Sequence, residues 1–266
     1  MPAPAASAIS LIWQCLQGGG GGLSALPPPL RPRTRSEGYA IQACLPGIAG
    51  QAVVGWKIAA TSRAGQEHIG VPGPLAGRIL ASFAHPDGAA ISLAGNRMRV
   101  AEAEFGFLLD RDLPPRAATY GVDEVLAAVA RLVPVIEVPD SRFEDFAHAG
   151  EAQLLADNAC AGRFIVGADT GADWRGIDLC SHPVQGRVLR DGRTVLERTG
   201  SGAAVLGDPR VALAWLVNEL SGLGLAAEAG QLVSTGTCFV PLPVQPGDLV
   251  SVEFGPLGQV AVRFEP

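Results

Sequence analysis

Lysine is nearly absent from this chain. Nineteen of its 20 basic side chains are arginine, and the exception is Lys57. Paired cysteines are missing too. Cys15, Cys44, Cys160, Cys180 and Cys238 are odd in number and scattered, with no CxxC pair, so neither a zinc knuckle nor a disulfide framework is expected. The net charge is -6 and there is no basic run, which argues against a nucleic-acid partner. No apolar stretch reaches the roughly 20 residues that cross a bilayer. The N-terminus has no basic segment before its short apolar run, Ile9 to Leu16, so no signal peptide is expected and a reducing cytoplasm fits best. There is no GxSxG elbow, no GxxxxGK[ST] loop and no GxGxxG after a strand. His68, His85, His148 and His182 are isolated, and no 20- to 50-residue repeat is visible.

What is present is apolar material: 48% of the 266 residues are hydrophobic and only 17% are charged. That is enough for one large domain or two small ones, and the low charge predicts a homo-oligomer that covers part of its surface. Helices are expected over Ala8–Gln17, ending at the five glycines 18–22, and over Glu37–Leu45, capped by Ser36. The stretch 27–32 reads as an extended linker, and Gly65 to Leu80 as a loop with a short helix. Asp123–Leu132 is expected to be helical and Val133–Val138 a strand. A hairpin is expected across Asp191-Gly192. Asp208-Pro209 starts a helix with a capping aspartate and a proline in its first turn. Strands are also expected at Leu249–Phe254 and Gln259–Phe264.

Three places carry chemistry. Lys57 lies in an apolar strand, Val53 to Ala59. Lysine is a compact ammonium whose pKa responds to its surroundings, unlike arginine. It is either a proton-handling group or the chance survivor of a biased composition. Val100–Leu109 alternates with period two, placing Ala101, Ala103, Phe105, Phe107 and Leu109 on one face and Glu102 and Glu104 on the other. Two carboxylates at i and i+2, with Cα atoms about 6.6 Å apart, are either a solvated face or a cation site. Glu137, in an otherwise apolar strand, needs a partner if buried. Three acids together suit magnesium or manganese. Arg142 offers a carboxylate clamp or a plain salt bridge. Asp157-Asn158 caps a turn by default, and Ser234 to Thr237 either binds a carboxylate or ends a strand.

In chain order, Gly55-Trp56-Lys57, Glu102-x-Glu104, Ile136-Glu137-Val138 with Ser141-Arg142, Asp157-Asn158, Gly207-Asp208-Pro209 with Ala214-Trp215-Leu216, and Ser234-Thr235-Gly236 resemble the 2-keto-4-pentenoate hydratase and 4-oxalocrotonate decarboxylase family of the fumarylacetoacetate hydrolase superfamily. The likeness runs from about Tyr39 to Phe264. It implies an α+β fold, a mixed beta-sandwich roll (81–266) with a small helical N-terminal part (1–80). It also implies Mg2+ or Mn2+ on Glu102, Glu104 and Glu137, and Lys57 as the catalytic residue. Arg142, Asp157, Asn158, Thr235 and Gly236 are expected to contact a small 2-oxo or 2-hydroxydienoic acid. The expected activity is a hydro-lyase, a hydratase of 2-hydroxy-2,4-dienoates in aromatic-compound catabolism. Decarboxylation or C–C hydrolysis on the same scaffold is the alternative, and a noncatalytic partner subunit the second. A complex with a paired pathway enzyme is a further expectation. Two positions depart from the family pattern. The loop 70–77 carries no acid, with Glu67 and His68 nearby as substitutes, and Cys160 stands where serine is usual.

Light scattering at micromolar concentration should give a mass that is a multiple of the 27.4 kDa chain. A mass equal to one chain would rule the oligomer out.

Overall fold

The computed structural model describes residues 3–17 and 21–266. Glycines 18–20, and with them the expected glycine stop of the first helix, lie outside the described residues. The helices are α1 (Ala3–Gln17), α2 (Arg35–Gln42), α3 (Leu45–Ala49), α4 (Arg63–Ile69), α5 (Val122–Leu126), α6 (Glu151–Ala156) and α7 (Pro209–Gly222). The strands are β1 (Val53–Ala59), β2 (Leu75–Leu80), β3 (Ala84–Pro86), β4 (Ala90–Ile91), β5 (Val100–Leu109), β6 (Val129–Val138) and β7 (Arg163–Val166). They continue with β8 (Pro183–Arg190), β9 (Arg193–Ser201), β10 (Leu232–Thr237), β11 (Leu242–Pro243), β12 (Leu249–Glu253) and β13 (Gln259–Phe264).

Two sheets form. The larger runs β2-β1-β10-β5-β6-β7-β3, with β11 added beside β5, and the smaller runs β4-β13-β12-β8-β9. The larger sheet crosses the residue-80 boundary drawn from the sequence, since β1 and β2 belong to it. Period-two alternation makes its two faces different. Ala103, Phe105, Phe107, Ile136, Ile165 and Val233 face the smaller sheet and join Val188, Val250, Val252, Val260 and Val262 in one core, closed by Leu213, Leu216 and Leu220 of α7. Val133, Val135, Phe164, Leu232 and Ile79 face the other way, into a second core with Ile9 and Ile12 of α1, Ile41 of α2 and Leu45 of α3. This is the mixed α+β roll with a helical N-terminal layer. No described helix is long and apolar enough to cross a membrane.

Several local expectations change. Thr34, not Ser36, caps α2, through a capping box in which Thr34 accepts from the Glu37 N–H and the Glu37 side chain reaches back. Residues 27–30 form a turn closed by the Leu30 N–H on Pro27 O at 2.8 Å, rather than an extended linker. Leu75–Leu80 is a fully buried strand, not loop. The expected helix from Asp123 to Leu132 ends at Leu126, and β6 begins at Val129. Pairing explains this, because Val129, Arg131 and Leu132 are already in register with β5. The β8–β9 hairpin turns at Asp191 and Gly192, both at positive φ.

The free edge of β2 is covered by side chains. Tyr39 Oη accepts from the Ala76 N–H at 3.1 Å, and Gln42 Nε2 donates to Ala76 O at 2.9 Å. An uncovered edge invites pairing with another chain. Thus α2 fixes the strand beside Lys57.

Thr34→Ala should lower stability by about 1 kcal/mol, the usual scale of a lost N-cap. Ser36→Ala, at an exposed position within the helix, should leave it unchanged. Denaturant melts of the two variants distinguish the caps.

Candidate metal centre

The two acidic strands are antiparallel neighbours, and their register puts Glu102 directly opposite Glu137. Glu104 lies two residues along β5 on the same face. One oxygen from each of the three carboxylates falls within 4.8 Å of the others. Glu104 and Glu137 are fully buried and Glu102 is partly so. Parity and pairing produce this grouping; no long loop is involved.

Lys57 arrives from β1, two strands away through β10. It is level with Ser234 of β10, which is level with Gly106 of β5. Its Nζ lies 3.2 Å from Glu137 Oε1 and donates to Ala159 O at 3.0 Å. Gly77 makes room for the lysine. A Cβ there would stand 3.1 Å from Lys57 side-chain carbons and 2.5 Å from Asn158 O. A register shift between Ser234 and Thr237 turns the end of β10 toward Glu104. Its Oε2 accepts from the Ser234 hydroxyl and, at 3.0 Å, from the Gly236 N–H.

Charge is not balanced by these contacts. Glu104 Oε1 and Glu137 Oε2 lack a hydrogen-bond donor among the described residues, and Glu137 Oε1 has only the Lys57 ammonium beside it. Burial pushes the Glu137 carboxyl well above its usual value, with Lys57 opposing and the other two acids adding to the rise. Glu104 is raised mainly by burial, against Lys57, Ser234 and Gly236. Burial and the Glu104 charge bring Glu102 to about 7. Burial alone would lower the Lys57 pKa, but Glu137, Glu102 and Glu104 outweigh it and leave the ammonium above the ordinary lysine value. One lysine therefore faces three acids. Orphaned buried carboxylate oxygens are expensive, and a hard divalent ion with oxygen ligands fits the set.

The other expected site residues are placed differently. Arg142 is buried and bound to Asp157 through Nε, to Asp157 O through Nη2, and to Asp140 O (2.9 Å) and Ala161 O (3.0 Å) through Nη1. Asp157 Oδ2 also accepts from the Ser141 hydroxyl at 2.7 Å and the Arg142 N–H at 3.0 Å. Asn158 bonds the backbone of Arg78 with both ends of its amide. The Thr235 hydroxyl donates to Phe105 O at 2.8 Å. These four were expected to contact substrate; their polar groups bond the protein itself. Of the suggested loop substitutes, Glu67 is in an exposed pair with Arg63 and His68 stacks edge-on against Phe146. Sequence reasoning gave no individual role to Ser141, which bonds the buried Asp157, or to the Ala159 carbonyl. Ser141 stood within a motif already singled out, and Ser234, in a stretch read as binding a carboxylate or ending a strand, bonds the Glu104 carboxylate.

The chain is 36% identical over 217 residues to 2-keto-4-pentenoate hydratase of Paraburkholderia xenovorans (strain LB400), covering 81% of this chain and 77% of that one. It is 35% identical over 215 residues to 4-oxalocrotonate decarboxylase of Pseudomonas sp. (strain CF600), covering 81% and 78%. The chain belongs to the 2-keto-4-pentenoate hydratase and 4-oxalocrotonate decarboxylase family, within the fumarylacetoacetate hydrolase superfamily. No family model matches it. A solved 4-oxalocrotonate decarboxylase from Pseudomonas putida G7, complexed with calcium and acetate, superposes with a TM-score of 0.85 at 28% identity, over 99% of this chain and 98% of that one. The same enzyme complexed with magnesium and adipate gives 0.82 over 97% of each chain.

The raised carboxyl pKa values set a sign for pH dependence. In metal-free protein these groups stabilise the fold below their unfolded value near 4.5, and that stability is lost as pH rises through the folded values, about 7 for Glu102. Lys57 is charged in both states over this window and adds no slope. An ion that holds the carboxylates ionised removes the loss. The rise in thermal midpoint on adding magnesium to chelator-treated protein should therefore be larger at pH 8 than at pH 5.5. Glu104→Gln should abolish most of it. Calorimetry giving the same increment at both pH values would refute the assignment.

Proposed function

We propose that this chain is a metal-assisted lyase of short 2-oxo acids, holding Mg2+ or Mn2+ on Glu102, Glu104 and Glu137. We further propose that it decarboxylates a diacid of the 4-oxalocrotonate type, acting in aromatic-compound breakdown. The observation that carries this reading is a buried carboxylate triad with one ammonium beside it and, among the described residues, no further acid or base in contact with them. A bound divalent ion supplies Lewis acidity, drawing electrons toward the 2-oxo group.

The chain's own groups supply the rest. Glu137 and Glu104 are fully buried and Lys57 is 2% exposed, so bulk water is excluded and charges there act strongly. In decarboxylation the bond to the departing carboxyl group breaks, carbon dioxide leaves, and the electron pair flows toward the 2-oxo group. One proton then returns to the product. Lys57 Nζ holds a proton beside Glu137 and is the group placed to give it, while Arg142 and Asp157 are committed elsewhere. Conjugate hydration makes a further demand, since a base must take a proton from water. The loop 70–77 offers none, and its Leu75 and Ala76 are fully buried. Burial pushes the Cys160 thiol up to about 12, so it does not take that role near neutral pH. The fit along nearly the whole chain to a decarboxylase supports the same choice. Hydration of 2-hydroxypenta-2,4-dienoate is the second reading, favoured by the 36% identity to hydratases.

Each substrate, supplied with magnesium and followed by product identification, separates the two. Release of carbon dioxide from 4-oxalocrotonate supports the first reading. Conversion of 2-hydroxypenta-2,4-dienoate to the hydrated oxo acid, without decarboxylation, replaces it with the second. Lys57→Arg should lose on the order of a hundredfold in turnover, since arginine is too large and too basic to exchange that proton. Magnesium affinity should change little. Turnover near wild type would return Lys57 to the ordinary basic residues.

A further inference from the structure

Before β7 the backbone does something its residues resist. Asn158, Ala159 and Cys160 have φ of 57°, 52° and 58° in succession. Asparagine tolerates the left-handed region, but alanine and cysteine avoid it, and L-residues enter it singly rather than in runs. A run of three persists only where its surroundings over-determine it.

Two buried devices do so. The Asn158 side chain behaves as a strand neighbour of β2: Oδ1 accepts from the Arg78 N–H at 2.7 Å and Nδ2 donates to Arg78 O at 2.8 Å. It thereby closes the edge next to the stretch closed by Tyr39 and Gln42. On the preceding residue, the buried Arg142–Asp157 pair ties the turn to the end of β6, and Arg142 also holds Ala161 O on the far side. The turn is thus gripped before, within and after its strained residues. What it presents is the Ala159 carbonyl, 3.0 Å from Lys57 Nζ. Asn158 O approaches β2 so closely that only glycine fits at 77.

A lysine side chain is flexible, and its ammonium has three equivalent donors. Glu137 alone, at 3.2 Å, would leave it free to swing among three acids. A carbonyl fixed on another side removes that freedom. We propose that Asn158 and the Arg142–Asp157 pair are positioning residues for Lys57, holding a left-handed turn whose Ala159 carbonyl fixes the ammonium beside the carboxylate cluster. The proposal rests on the reading of Lys57 as the proton-holding group. It replaces the expectation that Arg142, Asp157 and Asn158 contact substrate.

The test is Asn158→Gly in the magnesium-loaded enzyme, assayed on whichever of 4-oxalocrotonate and 2-hydroxypenta-2,4-dienoate the wild type consumes. Glycine takes φ near 57° freely, so the variant removes the clamp without forbidding the turn. Misplacing a reacting group by about 1 Å can cost on the order of a hundredfold. We expect kcat to fall at least about tenfold, with KM and calorimetric magnesium affinity within about twofold, since no substrate or metal contact is lost. A folded variant with wild-type kcat overturns the proposal. So does a loss shared equally by kcat, KM and metal affinity, which would mark a general structural role.

Should the variant not fold, the wild type supplies the answer. With 15N-lysine the chain gives a single Nζ resonance, because there is a single lysine. A slowly exchanging ammonium signal at neutral pH is expected, and exchange at the rate of free lysine overturns the proposal. Lys57→Ala separates the two levels of inference. Full turnover in that variant removes the role of Lys57 itself, whereas an inactive Lys57→Ala beside a fully active Asn158→Gly removes only the positioning.

Discussion

Three carboxylates share one face of one sheet with a single ammonium, and most of the local structure answers that imbalance. Glu102 and Glu137 are forced together by antiparallel register, and Glu104 follows by strand parity. Like charges in a dry interior repel strongly. The chain supplies partial relief: Lys57 against Glu137, and the Ser234 hydroxyl and Gly236 N–H against Glu104. Glu104 Oε1 and Glu137 Oε2 remain without donors among the described residues. The residual charge is what makes the cluster a candidate cation site.

The sheet can support such a site because its faces do different work. The Phe105 and Phe107 face packs against the smaller sheet and anchors the strands. The opposite face mixes the charged group with Val133, Val135 and Leu232, and the N-terminal helices pack over that apolar part. Rigid strands on one side and a helical cover on the other keep the acids close and water scarce. Preorganisation of this kind makes fixed charges effective in catalysis.

Much of this was legible in the residues. The alternation of β5 announced both faces, and the isolation of Glu137 in an apolar strand announced a buried acid in need of company. Asp208-Pro209 announced α7, with Asp208 accepting from the Arg210 N–H as a cap should. Errors arose where tertiary pairing overrode local preference. Alanine-rich residues 127–132 read as helix, yet from Val129 on they pair with β5. Leu75–Leu80, at the end of the glycine- and proline-rich stretch 65–80 that read as a loop with a short helix, became the buried strand beside Lys57. Thr34 and Ser36 are both plausible caps, and the Glu37 side chain decided between them.

Arg142, Asp157 and Asn158 show where the sequence stops. Their types suit substrate binding as well as internal bracing, and nothing in linear order distinguishes the two. Burial and partner identity favour the bracing proposed above, because the Arg142 guanidinium is enclosed by Asp157 and two other carbonyls. By itself, then, the sequence determined which side chains could carry charge and on which face of a strand each would point. Strand periodicity is a local property of the backbone, and composition left one lysine to consider. Only the tertiary structure decided which strands lie side by side, and so which acids meet, and which carbonyl holds Lys57. Those outcomes depend on pairing between residues as far apart as Lys57 and Ala159, which no local pattern encodes.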